Sequence, residues 1–195
     1  MDYRDNKRLM EDARQALSGH WKTAVGAAAI FGILYPLQWL PPWGDLVAFM
    51  VSGPLSVGMA RFSLAISQKS PATAAQVLSG FQVFWRSFSA YFLSVLFILL
   101  WSLLLIIPGI MAAMSYSMIF YILADNQNSA PLDAISASKA MMRGHRWRLA
   151  CLFARFLGWG VLSVLTVGIG FLWLLPYMGV STALFYEDLK SRQAI

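Results

Sequence analysis

The sequence is poor in charged residues, cysteine and histidine. Only 12% of its 195 residues are charged, whereas an ordinary soluble domain has about 25%, and 58% are hydrophobic. A single cysteine, Cys151, excludes a disulfide framework. These shortages argue against a soluble domain or a disulfide-rich secreted domain, and they favour a membrane protein.

Sequence signatures of catalysis and metal binding are also missing. The two histidines, His20 and His145, lie far apart in the sequence and neither has a second ligand nearby. There is no His-Glu-x-x-His metal site, no Gly-x-Ser-x-Gly nucleophile turn and no phosphate-binding glycine loop. We therefore expect a protein that is not an enzyme and that has no catalytic residue, metal or cofactor.

One long apolar stretch, from Phe84 to Asp125, has no charged residue between Arg86 and Asp125. Pro108-Gly109 divides it into two runs. The first run, counted from Phe84, is long enough at about 1.5 Å per residue to cross a hydrocarbon core of about 30 Å. Two helices that are apolar on every face and joined by Pro-Gly are typical of a membrane hairpin.

Four further apolar runs extend this pattern to an all-α, polytopic membrane bundle of about six transmembrane helices in a single domain, residues 1–195. The second run is the least regular, because Gly53-Pro54 interrupts it and Arg61 lies inside it. We expect Pro36 to kink the first helix. The predicted spans are residues 23–40, 47 or 53 to 67, 84–107, 110–124, 149–167 and 171–186.

Two shorter segments are predicted to be amphipathic helices. In residues 1–18, apolar side chains recur at Tyr3, Met10 and Leu17, so this helix either lies at the membrane interface or forms a solvated tail. In the loop 126–148, Ser129 is predicted to cap a helix that ends at Gly144. Its apolar side is formed by Leu132, Ile135 and Met142.

The cations of the predicted topology collect on one side of the membrane. With six crossings, 13 of the 15 Lys and Arg residues lie on the side of the N-terminus, and the other two lie inside spans. The positive-inside rule then places both termini in the cytoplasm. We interpret the net charge of +6 as favouring contact with membrane lipids, and not as a sign of nucleic-acid binding.

The two arginines inside spans, Arg61 and Arg155, are the candidate ligand-binding residues, with Asp125 and Glu187 as their counter-charges. An arginine within a span is costly and usually finds a partner or water. One interpretation is a cytoplasm-facing polar cavity that binds an anionic headgroup or a peptide carboxylate. The alternative is that both arginines extend to lipid phosphates, or form structural ion pairs inside the bundle.

A basic cluster precedes the fifth predicted span. Such a cluster either docks a partner or anchors the topology at the membrane surface beside an interfacial tryptophan, and we favour the anchor. The cluster consists of Arg143, Arg146, Trp147 and Arg148, with His145 among them.

The two late hairpins end alike, which weakly indicates an internal duplication. An aromatic pair is followed by an acidic residue in each: Phe120-Tyr121 before Asp125, and Phe185-Tyr186 before Glu187-Asp188.

Several motifs resemble an uncharacterised bacterial integral-membrane family, domain of unknown function nine-seven-five, which is distantly similar to the membrane domain of glycerophosphoryl diester phosphodiesterases. The resemblance implies a polytopic protein of the bacterial inner (plasma) membrane without an established enzymatic role and without the phosphodiesterase catalytic domain. The motifs are Leu17-x-Gly19-x-Trp21, Leu104 to Ile110, Tyr116-Ser117-Met118, Tyr121 to Asp125, Gly144-His145-x-Trp147-Arg148, Gly168 to Tyr177, and Phe185 to Leu189.

Two functions are expected from these observations. The first is a non-enzymatic accessory protein of a membrane transport or envelope-stress system, bound to another membrane protein or to a second copy of itself. The second is a transporter or binder of lipids or amphipathic peptides that uses the cytoplasm-facing cavity.

Overall fold

The computed structural model describes residues 5–34, 43–166 and 168–193, and this part of the chain is helical, without a strand. The predicted all-α fold class is confirmed. The predictions for Tyr3 and Pro36 lie outside the described residues. The elements are α1 (Asn6–Leu17), α2 (Trp21–Leu34), α3 (Gly44–Ser67), a 3-10 helix (Ala74–Val83), α4 (Phe84–Leu104), α5 (Ile106–Tyr116), α6 (Ile119–Asp125), α7 (Pro131–Met141), α8 (Arg146–Leu165) and α9 (Phe171–Gln193).

Four helical stretches of the described chain are long and apolar enough to cross a membrane: Gly44–Ser67, Ala74–Leu104, Ile106–Asp125 and Arg146–Leu165. Protein covers few of the side chains of two of them, since only 17% of the most apolar part of Ala74–Leu104 and 22% of that of Arg146–Leu165 are buried. Leu103 on α4 and Leu165 on α8 are 87% and 73% exposed. A helix that is apolar on every face and left uncovered by protein is stable in lipid, so this is a membrane protein.

The break in the central hairpin lies at Leu105, three residues before the predicted Pro108-Gly109 break. Pro108 stands in the first turn of α5, where a missing N–H costs nothing because first-turn N–H groups have no partner within the helix. Gly109 is needed for packing, since a side chain there would collide with Ser102 of α4. The Pro-Gly pair therefore begins the second helix and does not form the turn.

Helix α3 continues through Gly53-Pro54, where the sequence predicts an interruption. Gly53 lies against the carbonyl oxygen of Ser87 at the start of α4, and a Cβ at Gly53 would overlap it. The Gly-Pro pair thus marks a close approach of two backbones within a continuous helix, as small residues do in membrane bundles.

The chain repeats one unit three times: a short helix, a glycine and then a long hairpin. The first and second units share Ala-x-Gln-Ala/Val-Leu-Ser-Gly, in residues 13–19 and 74–80. The third has a looser copy that ends at Gly144. Gly19 and Gly144 both adopt positive φ, +91° and +80°, the left-handed conformation that glycine favours after a helix. The predicted duplication was therefore incomplete, because it compared only the ends of two hairpins.

The repeats pack in a cyclic order. The short helix of each unit lies on the second hairpin helix of the preceding unit: α1 on α9, the 3-10 helix on α3, and α7 on α6. The helices α3, α6 and α9 form the centre of the bundle, where the rings of Tyr121 and Tyr186 stack with their centroids 5.9 Å apart.

Helix α1 is amphipathic, but its apolar side faces protein. Leu9, Ala13 and Leu17 are fully buried in the core that α1 forms with α9. Their i, i+4, i+8 spacing makes one stripe. Both alternatives considered from the sequence, a helix lying on lipid and a solvated tail, left this tertiary contact out.

Helix α7 also turns most of its apolar side inward, with two differences from the prediction. Ile135 is buried and Met142 follows the helix fully buried, but Leu132 is 60% exposed. The helix begins at Pro131 after Ala130, so Ser129 is not its cap. Proline is favoured in the first helical position, which explains the shift.

We predict that Gly58→Ala destabilises the protein by about 3 kcal/mol, because the new methyl group would overlap the carbonyl oxygen of Val77 in the 3-10 helix. Thermal unfolding in detergent, followed by circular dichroism, measures this change. Gly158→Ala is the control: it also lies inside a helix but has no atom within 4 Å of the added carbon. It should be neutral or stabilising by up to about 1 kcal/mol, and equal losses in both variants would contradict the packing argument.

Candidate lipid-binding groove

The four residues predicted to form a polar cavity do not meet in the described structure. Arg61 on α3 donates from Nη1 to the carbonyl oxygen of Ser79 at 2.8 Å and to its hydroxyl at 3.2 Å. Ser79 belongs to the repeated Leu-Ser-Gly at which the 3-10 helix nears its end. Arg61 therefore joins the 3-10 helix to α3 and contacts neither predicted carboxylate.

The two carboxylates instead tie the central helices together. Asp125 of α6 accepts a hydrogen bond from the Tyr186 hydroxyl at 3.0 Å and pairs with Lys190, both on α9. Glu187 accepts a hydrogen bond from the Ser67 hydroxyl of α3 at 3.0 Å. In the described structure these acids therefore do not pair with Arg61 or Arg155, contrary to the prediction, because closer partners on adjacent helices take them.

One residue of the predicted membrane-surface cluster, Arg148, also forms an ion pair with another helix. Arg148 contacts Asp188 at 2.7 Å and lies over the ring of Phe185 at 4.9 Å, and Arg192 reaches the same carboxylate at 3.3 Å. Asn6 of α1 donates to the Arg148 carbonyl oxygen at 2.9 Å, so this contact also holds the N-terminal helix. Arg148 is thereby a bundle residue rather than a surface anchor.

Other residues of that cluster have exposed side chains. Arg143 and Trp147 are exposed, Trp147 to 80%, as an interfacial tryptophan would be. Burial, with Arg148 and Arg192 adding to it, lowers the pKa of His145.

Arg155 is exposed on α8 and makes no hydrogen bond or ion pair with any residue in the described ranges. At 100° per residue it lies on the same face of α8 as Trp159, Leu162 and Thr166. That face forms one wall of a groove. Arg155 lies one helical turn, about 6 Å along the helix axis, before Trp159, the first residue of this wall.

The groove has a volume of about 440 Å³ and lies between the α1–α2 segment and the α8–α9 hairpin. Its walls are mostly aromatic and aliphatic. The lining residues are Arg14, Trp21, Trp159, Leu162, Ser163, Thr166, Gly170, Trp173, Leu174 and Tyr177.

Local hydrogen bonds fix the two walls and engage the hydroxyl groups that line them. The Tyr177 hydroxyl donates to the Met10 carbonyl oxygen at 3.1 Å, which joins α9 to α1. The Ser163 hydroxyl donates to the Trp159 carbonyl oxygen at 2.8 Å, and Thr166 Oγ1 accepts from the Gly170 N–H at 3.1 Å. The groove therefore offers an apolar surface to a ligand.

Charge in the groove has one sign. Among the described lining residues Arg14 is the charged side chain, and Arg155 adds a second cation on the wall's own face. An apolar channel with cations at its side suits a molecule with an anionic group and a hydrocarbon tail.

Sequence reasoning identified Arg155 but missed Arg14 and the three tryptophans as parts of one site. The face made by residues 155, 159, 162 and 166 was visible in the sequence. Its opposite wall was not, because α1 and α8 are far apart along the chain.

Residues 103–193 match the model of a protein family described as "Protein of unknown function (DUF975)". The match runs from the end of α4 to the end of α9, and it confirms the resemblance over this part of the chain. No curated protein and no solved structure matches the chain. In the described residues no cluster of His, Cys, Asp and Glu side chains could hold a metal ion.

We predict that Arg61→Ala lowers the free energy of unfolding by about 1.5–3 kcal/mol, the value of a hydrogen bond to a charged group. A structural role for Arg61 was one of the alternatives from the sequence, and here its partner is Ser79 instead of a carboxylate. The midpoint of thermal unfolding in detergent measures the loss. Arg61→Lys, which keeps one donor, should lose less, and a fully stable Arg61→Ala variant would remove the structural role.

Proposed function

We propose that this protein binds an anionic membrane lipid in the groove between α1–α2 and α8–α9, and that it is not an enzyme. The observation that carries the proposal is an apolar groove lined by one cation, Arg14, with no acidic side chain among its described lining residues. A second cation, Arg155, lies one helical turn from Trp159 on the same face of α8. Its volume is in the range of small-molecule sites, about 300–1,000 Å³.

The energetics favour an amphiphile over a soluble anion. Each methylene group buried in the groove contributes about 0.8 kcal/mol, and each Lys or Arg near an anionic headgroup about 1 kcal/mol. An acyl chain against Trp159, Leu162 and Trp173 would therefore contribute more than the charges do. The cations would select which lipid binds.

This proposal corresponds to the second function expected from the sequence, with the site moved from the predicted cavity to the groove. The accessory role in a transport or envelope-stress system, with a protein partner or a second copy, stays a prediction. No observation on the described residues favours it over lipid binding.

We further propose six crossings of a bacterial plasma membrane with both termini in the cytoplasm. Helices α2 and α9 would be the crossings additional to the four long apolar stretches. The one-sided distribution of cations supports this topology. So does the apolar, charge-free turn of each late hairpin, at Leu105 and at Ile169.

The groove is tested by native mass spectrometry of protein purified in mild detergent with equal phosphatidylglycerol and phosphatidylcholine. We expect the wild type to retain phosphatidylglycerol preferentially. Arg14→Gln with Arg155→Gln should weaken this retention about 30-fold, the equivalent of about 2 kcal/mol for two cations.

The matched control is Arg8→Gln with Lys7→Gln, which removes the same charge from the exposed side of α1 outside the groove. It should leave retention unchanged. Equal retention of both lipids by the wild type, or an equal loss in the control, would count against the groove.

The topology is tested with a membrane-impermeant thiol reagent on intact cells, after Cys151→Ser removes the native thiol. We expect Ile169→Cys, in the turn between α8 and α9, to be labelled from outside. Ser136→Cys on α7 should be labelled only in permeabilised cells. Labelling of Ser136→Cys from outside would contradict the proposed orientation.

A further inference from the structure

A second groove, with a volume of about 260 Å³, lies along α5 and is closed on one side by α4 and on the other by α7 and the start of α8. It is separate from the first groove, with which it shares no residue. It is lined by Trp101, Pro108, Met111, Ala112, Ser115, Tyr116, Lys139 and Arg146.

Its long wall is apolar. Pro108, Met111, Ala112 and Ser115 follow the i, i+3, i+4, i+7 pattern, so they form one stripe about 10 Å long on α5. Proline has no N–H to donate. The Ser115 hydroxyl is already bonded to the Met111 carbonyl oxygen at 2.6 Å, so the stripe presents a surface suited to a hydrocarbon chain.

Two cations, Lys139 and Arg146, also line the groove. Lys139 directly follows Ser138, whose hydroxyl is bonded to the carbonyl oxygen of Ser115. Neither Lys139 nor Arg146 forms an ion pair with a residue in the described ranges, and Arg146 Nε is buried without a hydrogen-bond partner there. By contrast, Arg148 forms an ion pair with Asp188, and Lys190 forms one with Asp125. No acidic side chain is among the described residues that line the groove, so two positive charges are left facing it.

The second groove uses the same positions of the repeat as the first. Lys139 lies five residues before Gly144, as Arg14 does before Gly19, and Arg146 lies two residues after Gly144, as Trp21 does after Gly19. In the hairpins, Tyr116 follows Gly109 by seven residues, as Tyr177 follows Gly170. Both grooves therefore lie where the short helix of one unit meets the hairpin of the preceding unit.

The remaining unit lacks these charges. Counted from Gly80 in the same way, its positions hold Ala75 and Gln82, neither of which is a cation. In addition, the 3-10 helix lies so close to α3 at Gly58 and Gly80 that a methyl group would collide with backbone at either position. The repeat thus provides cationic grooves at two of its three boundaries.

We propose that the second groove is a separate site for an anionic phospholipid. Its phosphate is held by Lys139 and Arg146, and one acyl chain lies along the α5 stripe from Tyr116 towards Pro108. Charge complementarity favours an anionic lipid, since neither cation has a counter-ion among the described residues. The site stands or falls independently of the first groove, from which it can be separated by mutation.

Native mass spectrometry in mixed phosphatidylglycerol and phosphatidylcholine micelles counts the lipids on the full chain. We expect two phosphatidylglycerol molecules on the wild type and one on Lys139→Gln with Arg146→Gln, whose second dissociation constant should rise at least tenfold. Arg14→Gln with Arg155→Gln should also retain one, and the four-fold variant none. The control Arg143→Gln, an exposed cation of the same loop that lines neither groove, should retain two.

The charge-conserving pair Lys139→Arg with Arg146→Lys separates loss of charge from loss of fold, and it should retain both lipids. The proposal is overturned if Lys139→Gln with Arg146→Gln still holds two lipids, if the charge-conserving pair loses one, or if phosphatidylcholine occupies the site equally. If the wild type holds one lipid, and only Arg14→Gln with Arg155→Gln loses it, then the first groove is a lipid site and the second is not.

Discussion

The bundle depends on close backbone contact at glycines of α3. Between helices in lipid there is no hydrophobic driving force, so association relies on van der Waals contact and on hydrogen bonds between helices. Gly53 admits the start of α4 and Gly58 admits the 3-10 helix, each within the distance that a methyl group would occupy. Helix α3 is therefore the most enclosed of the four candidate spans, with 56% of its apolar part buried.

Hydrogen bonds between helices also stabilise the bundle. Ser138 of α7 is fully buried where α5 gives way to α6: its hydroxyl donates to the Ser115 carbonyl oxygen at 2.7 Å and accepts from the Met118 N–H at 3.2 Å. A helix break leaves such backbone groups without partners, and in a membrane they are costly. The short helix α7 thus stabilises an interruption that the apolar run alone does not reveal.

The repeat explains why similar grooves recur. Each short helix has a glycine at or near its end, and the chain then enters the next long helix beside the hairpin of the preceding unit. Where the short helix packs loosely and carries Arg14 or Lys139, a groove remains at the boundary. At the boundary formed by the 3-10 helix, Arg61 and the glycine contacts close the gap. The same repeated unit therefore forms either a groove or a close helix contact at its boundary, depending on a few side chains.

Hydropathy along the chain was sufficient to predict an all-helical protein with helices long and apolar enough to cross a membrane, because this follows from the transfer of each segment into lipid. The side on which the cations collect stays a prediction. Hydropathy also identified Arg155, which is unusual wherever it lies in the fold. The partners of Arg61, Asp125 and Glu187, the inward face of α1 and the walls of both grooves join residues that are distant in sequence. Helix packing alone decided these contacts, since neither hydropathy nor periodicity specifies which neighbour a helix face meets.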